Sequence, residues 1–179
     1  MQHFNTIQVK KFRTKTVVLA AVFIALTIIL THIFAIQTTF IRIDFGFLAI
    51  ATFSMLFGPF LGAIVASIAD VVGCTIFSSG VYFPGFTLSS FISGIIYGFF
   101  FYSKPISFTR VVLASMATLI FVDMFMNTLW LAILYHKAVS IFIAGRLIKC
   151  SVMLPIHVIL IYSLQKRLLQ QTFIFRYLK

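Results

Sequence analysis

An all-α integral membrane protein, with about six transmembrane helices in one bundle, is what this sequence predicts, and three observations carry the prediction. Of 179 residues, 61% are hydrophobic and only 9% are charged, with a mean hydropathy of +1.12; that balance suits a bilayer better than water. Apolar runs recur at about the 20-residue length that a helix needs to cross. The formal net charge of +11 comes from 14 Lys plus Arg against 3 acidic residues, and most of the basic residues flank the apolar runs. In a soluble chain this excess would point to nucleic acid. At the ends of apolar runs it points to membrane topology and anionic lipid, so membrane lipid is an expected partner and nucleic acid is not.

Taken in order, residues 1–15 are a basic segment in which Lys10, Lys11, Arg13 and Lys15 precede the first span. The positive-inside rule puts this segment in the cytoplasm. The first apolar run shows no small-residue cleavage site, so it is expected to stay as a helix. Residues 16–168 are read as the six-helix domain, with spans near 16–36, 45–57, 60–77, 86–102, 111–134 and 141–164. The second is short. Pro59 is placed to open the third, and Pro155 to kink the sixth. Residues 169–179 form a basic cytoplasmic tail. Cys74 and Cys150 lie inside apolar runs and read as small buried hydrophobes rather than a disulfide.

Several spans carry small residues. Ala21 and Ala25 form a small-xxx-small pair on the first helix, a face that lets another helix approach closely, within the chain or from a partner. The third and fourth spans carry comparable Gly, Ala and Ser faces.

The outer half holds the candidate chemistry. Arg42, Lys137, Arg146 and Lys149 are cations that topology leaves unexplained. Arg146 and Lys149 fall roughly 8–13 Å below the outer end of the last span at 1.5 Å per residue. Asp123, Asn127 and Trp130 follow an i, i+4, i+7 pattern on one helix face. Asp70 sits mid-span, where a charge costs about 2.5–3.5 kcal/mol on insertion scales; a cation, a ligand hydrogen bond or protonation must offset it. The stretch from Phe77 to Tyr97 opens with turn formers and brings Tyr82, Phe83 and Phe86 around Pro84-Gly85, as a lid or wall over a pocket. Intramembrane ionisable residues face an interior or cavity. The expected pocket therefore has cations toward its mouth and aromatic walls, suited to an anionic, flat, heteroaromatic ligand. Each of these residues also has a plainer reading: Arg42 paired with Asp44, Arg146 and Lys149 paired with Asp123 or snorkelling, Trp130 as an interfacial anchor, and Asp70 in a structural hydrogen bond.

Catalysis is not expected. The sequence has no Walker A pattern, no H-E-x-x-H and no Glu, and His3, His32, His136 and His157 lack metal-ligand spacing.

Several segments are specific enough to carry a resemblance: "LFGPFLGAIVASIAD", "YFPGFTLSSFISGIIYG", "NTLWLAILY", then "RLIK" and "MLP", with the Ala-x-x-x-Ala of the first helix. From about Lys15 to Arg167 the chain resembles the folate-family substrate-binding S component of energy-coupling factor (ECF) vitamin transporters. The resemblance implies a bacterial multi-pass plasma-membrane subunit that binds folate with high affinity from outside. It also implies docking, as a monomer, on a transmembrane coupling protein and two ATPases that hydrolyse ATP. Ala21 and Ala25 would form the docking face. The implied binding set is Arg42, Asp70, Tyr82, Phe83, Phe86, Thr87, Asn127, Trp130, Arg146 and Lys149. The resemblance supports this region; the pocket's own chemistry suggests that Asp70 and Asn127 would meet pterin edges, the aromatic side chains would stack on rings, and the cations would meet carboxylates. No metal or cofactor is implied, folate being cargo. Another small vitamin or precursor, such as pantothenate or a queuosine precursor, and a non-transport membrane assembly protein stand as alternatives.

Overall fold

The computed structural model describes residues 14–37, 42–77, 82–105, 107–135 and 139–170. Of the sequence features singled out above, Lys10, Lys11 and Arg13, Ser78 to Gly80, and His136 with Lys137 lie outside the described residues. Where an α run passes directly into a wider π-type turn the two are counted as one helix. The described residues then form α1 (Thr14–Ile33), α2 (Gly46–Phe57), α3 (Pro59–Phe77), α4 (Pro84–Phe101), α5 (Phe108–Tyr135) and α6 (Val139–Gln170). Helices α1, α3, α4, α5 and α6 are long and apolar enough to cross a membrane. Helix α2 has 12 residues, so it spans about 18 Å at 1.5 Å per residue and falls short of a hydrocarbon core of about 30 Å.

Among the described residues the regular structure that is not helical is small. Strands β1 (Ile36–Gln37) and β2 (Arg42–Ile43) pair antiparallel, Ile36 opposite Ile43 and Gln37 opposite Arg42. This clip joins the ends of the loop between α1 and α2 and delivers Asp44 to the start of α2.

Helix boundaries follow local chemistry. Gly58 takes φ +95° between α2 and α3, and its N–H closes on Ser54 O at 2.9 Å, a positive-φ conformation that glycine permits. Pro59 and Pro84 open α3 and α4, where a missing N–H costs nothing. Helix α4 begins two residues earlier than its apolar run suggested, because Phe83 is extended (φ −129°, ψ 122°) and Pro84 turns directly into helix. Helix α6 runs through Pro155 without interruption.

The tightest seam joins α3 to α4. A Cβ added at Gly94 would lie 2.6 Å from the Cα of Ala63, and one at Gly98 would overlap the Cα of Pro59. The two backbones meet with no room for a side chain, the packing mode that holds helices together in lipid. Aromatic and aliphatic side chains from α2, α4, α5 and α6 fill the centre, including Tyr97, Phe101, Val111, Leu119 and Ile161. Large apolar side chains also face outward, Phe60 at 71% exposure and Phe121 at 64% among them, as a lipid solvent requires. Ala21 and Ala25 sit on the exposed side of α1, among Val18, Val22 and Leu26. Their small face is therefore not consumed by packing inside the chain.

Candidate functional site

Three helices turn polar side chains toward one interior. The inward series is Phe86, Ser90, Ser93 and Tyr97 on α4, and Asp123, Asn127 and Leu131 on α5; on α6 it is Arg146, Lys149, Met153 and His157. Steps of three or four residues keep each series on one side of its helix. With Asp70 of α3, His32 of α1 and Asp44, they line a cavity of about 410 Å³, within the usual range for a small-molecule site. Asp44, Asp70 and Asp123, the three acidic residues of the whole chain, all line it.

One wall is cationic. Lys149 Nζ donates to Asp123 Oδ1 at 2.9 Å, and Arg146 Nη1 lies 3.4 Å from the same oxygen and 3.3 Å from the Asp123 carbonyl. Two cations thus share one carboxylate, leaving this cluster with a surplus positive charge. The Asn127 amide nitrogen reaches Asp123 Oδ1 at 3.5 Å, while its carbonyl oxygen is buried and accepts no hydrogen bond among the described residues. A buried acceptor left unmatched costs free energy, which a ligand N–H would recover.

On the facing wall hydroxyls reach the carboxylate of Asp70. Asp70 Oδ2 accepts from Thr87 Oγ1 at 2.8 Å, and Thr87 Oγ1 is 3.2 Å from the Tyr82 hydroxyl. The mid-span carboxylate is thus met by a hydroxyl chain that starts at the loop before α4. At the floor, the His157 ring stacks on Phe47 with centroids 3.5 Å apart, and its Nδ1 is 3.4 Å from Tyr97 Oη.

Of the residues singled out from sequence, Asp70, Phe83, Phe86, Asn127, Arg146 and Lys149 line the cavity. Tyr82, Thr87 and Trp130 stand behind the wall. Tyr82 and Thr87 reach the cavity through Asp70. Trp130 turns its N–H to Ser89 Oγ at 3.1 Å and packs 5.8 Å from the Phe83 ring. A Cβ on Gly85 would come within 2.5 Å of its indole. Trp130 therefore braces the turn at the cavity mouth, although its spacing from Asp123 put it on the inward face; so large a ring settles where it finds both area and a hydrogen-bond partner. The side chain of Arg42 lies outside the described part, and its backbone pairs with Gln37. The choice between ion pairing and cavity lining for Arg146 and Lys149 dissolves, since they do both. Sequence reasoning passed over Tyr97, His157, His32 and Asp44 as lining residues. For the first two a signal existed: they extend the α4 and α6 series by one more helical repeat.

A bundle of apolar, membrane-length helices around a cavity lined by both polar and apolar side chains defines the class of a multi-pass membrane protein with an interior pocket. The sequence comparisons narrow that class. Residues 11–169 match the family profile described as ECF-type riboflavin transporter, S component, and the chain belongs to that family. It is a substrate-binding transport subunit and not an enzyme. It is 46% identical over 154 residues to the folate transporter FolT of Clostridium novyi (strain NT), covering 86% of this chain and 90% of that protein. It is 32% identical over 160 residues to the folate transporter FolT of Leuconostoc mesenteroides subsp. mesenteroides, covering 86% of each. The crystal structure of FolT bound with folic acid superposes with a TM-score of 0.83 at 38% identity, covering 87% of this chain and 95% of that one.

Proposed function

We propose that the chain is the folate-binding S component of an ATP-driven ECF importer. The observation that carries the choice of ligand is that two cations, Arg146 and Lys149, share the one carboxylate of Asp123 on the α5–α6 side of the cavity. Folate brings carboxylates for Arg146 and Lys149, which favour such partners in a desolvated site. Its pterin brings N–H donors for Asp70 and for the unmatched Asn127 oxygen. Phe83 and Phe86 offer ring faces at the mouth. Two relatives named for folate transport, and a folic-acid-bound structure of the same fold, support this reading. The family description favours riboflavin as the second reading, but riboflavin is uncharged and brings no carboxylate to Arg146 and Lys149.

The chain then docks as a monomer on a coupling protein carrying two ATPases, with both basic termini on the cytoplasmic side of a bacterial plasma membrane. The exposed small face at Ala21 and Ala25 supports the docking site. Calorimetry on the purified full chain tests the ligand, using folate, riboflavin and a pterin lacking glutamate. Folate is expected to bind one per chain and more tightly than the other two; riboflavin binding as tightly as folate would overturn the assignment.

A further inference from the structure

Where α5 begins and α6 ends, a second concavity of about 510 Å³ opens between Phe108 and the stretch from Val158 to Arg167. Its walls are apolar and turned outward: Phe108 is 59% exposed and Ile159 66%. The Phe108 ring meets Tyr162 edge-on at 5.8 Å, and Lys166 Nζ stands over the Tyr162 ring, 5.8 Å from its centroid. Lys166 and Arg167 close one end of the groove, both exposed, with the Ser163 hydroxyl beside them. The three side-chain carboxylates of the chain all line the central cavity, so none of them neutralises this pair. The pair is thus open to an anion from another molecule.

We propose that this groove binds one anionic phospholipid, its phosphate between Lys166 and Arg167 and its first acyl segment against Phe108 and Ile159. Basic pockets between transmembrane helices recognise anionic headgroups in this way, and long cationic side chains at a helix end reach the headgroup level from an apolar stem. A free phosphate ion would satisfy the charges but leave the apolar walls uncovered; a lipid matches both. The inference does not depend on which solute occupies the central cavity.

Native mass spectrometry of the full chain, delipidated in detergent and offered equal phosphatidylglycerol and phosphatidylcholine, tests it. The wild type is expected to retain phosphatidylglycerol selectively. Each cation near an anionic surface contributes roughly a fivefold factor, so K166Q/R167Q should lower that adduct about 30-fold. Ser163→Trp fills the groove at an exposed position and keeps both charges, and it should lose the adduct too. Equal uptake of the two lipids by the wild type would overturn the proposal. So would full phosphatidylglycerol preference in Ser163→Trp, which would mean diffuse charge attraction. Unchanged lipid adducts in K166Q/R167Q, with loss of assembly on a partner protein, would reassign the cations to a protein interface.

Discussion

The two walls of the cavity are joined by opposite means. Helices α3 and α4 touch backbone to backbone at Gly94 and Gly98, and their carboxylate, Asp70, is met by the neutral hydroxyl of Thr87. Helices α5 and α6 are joined across the cavity side by ions, Asp123 against Arg146 and Lys149. Packing of the first kind has one geometry. The ionic seam can be re-partitioned, because an entering anion can take over part of what Asp123 supplies. The α3–α4 wall is therefore a fixed frame, and the α5–α6 wall is the part that answers the solute.

Substitutions on each wall test that division. Asp123→Ala leaves two partly buried cations without their carboxylate and is expected to destabilise the fold by roughly 3–5 kcal/mol. Thermal unfolding in detergent measures it, and added folate should restore part of the loss. If folate recovered nothing, the ionic seam would not be responsive to an anion. Arg146→Ala removes a charge-assisted contact worth about 1.5–3 kcal/mol, so folate affinity should fall roughly 10- to 150-fold. Titration calorimetry should show the pterin without glutamate nearly unaffected. Gly94→Ala forces the α3 and α4 backbones apart and should lower stability by about 1–3 kcal/mol, this time with no differential rescue by folate. Thr87→Val removes a neutral donor to Asp70 and should weaken folate by only about 0.5–1.5 kcal/mol. An effect of Thr87→Val as large as that of Arg146→Ala would erase the distinction between the walls.

The lipid-facing character of the chain and its helical content were readable from hydropathy and helical spacing, because both are local properties. So was the pairing of Asp123 with Arg146 and Lys149, as the plainer alternative, although the shortage of acids counted there for cations left to a ligand. Asp70, Asn127, Phe83 and Phe86 were placed at the cavity by the same reasoning. Trp130 and Thr87 were put in the same set, yet they stand behind the wall, because a residue's helical face tells which neighbour it turns toward but not whether that neighbour intervenes before the cavity.

Composition and periodicity thus settled that helices cross a membrane and which side chains share a stripe; hydropathy and a 3.6-residue repeat need no knowledge of the rest of the chain. Helix approach and rotation settled the remainder. They set Tyr97 against His157, 60 positions apart, and the glycine contact of α3 with α4. They also enclosed all three carboxylates around one void. Such contacts depend on how closely distant backbones can come, a property of several helices at once.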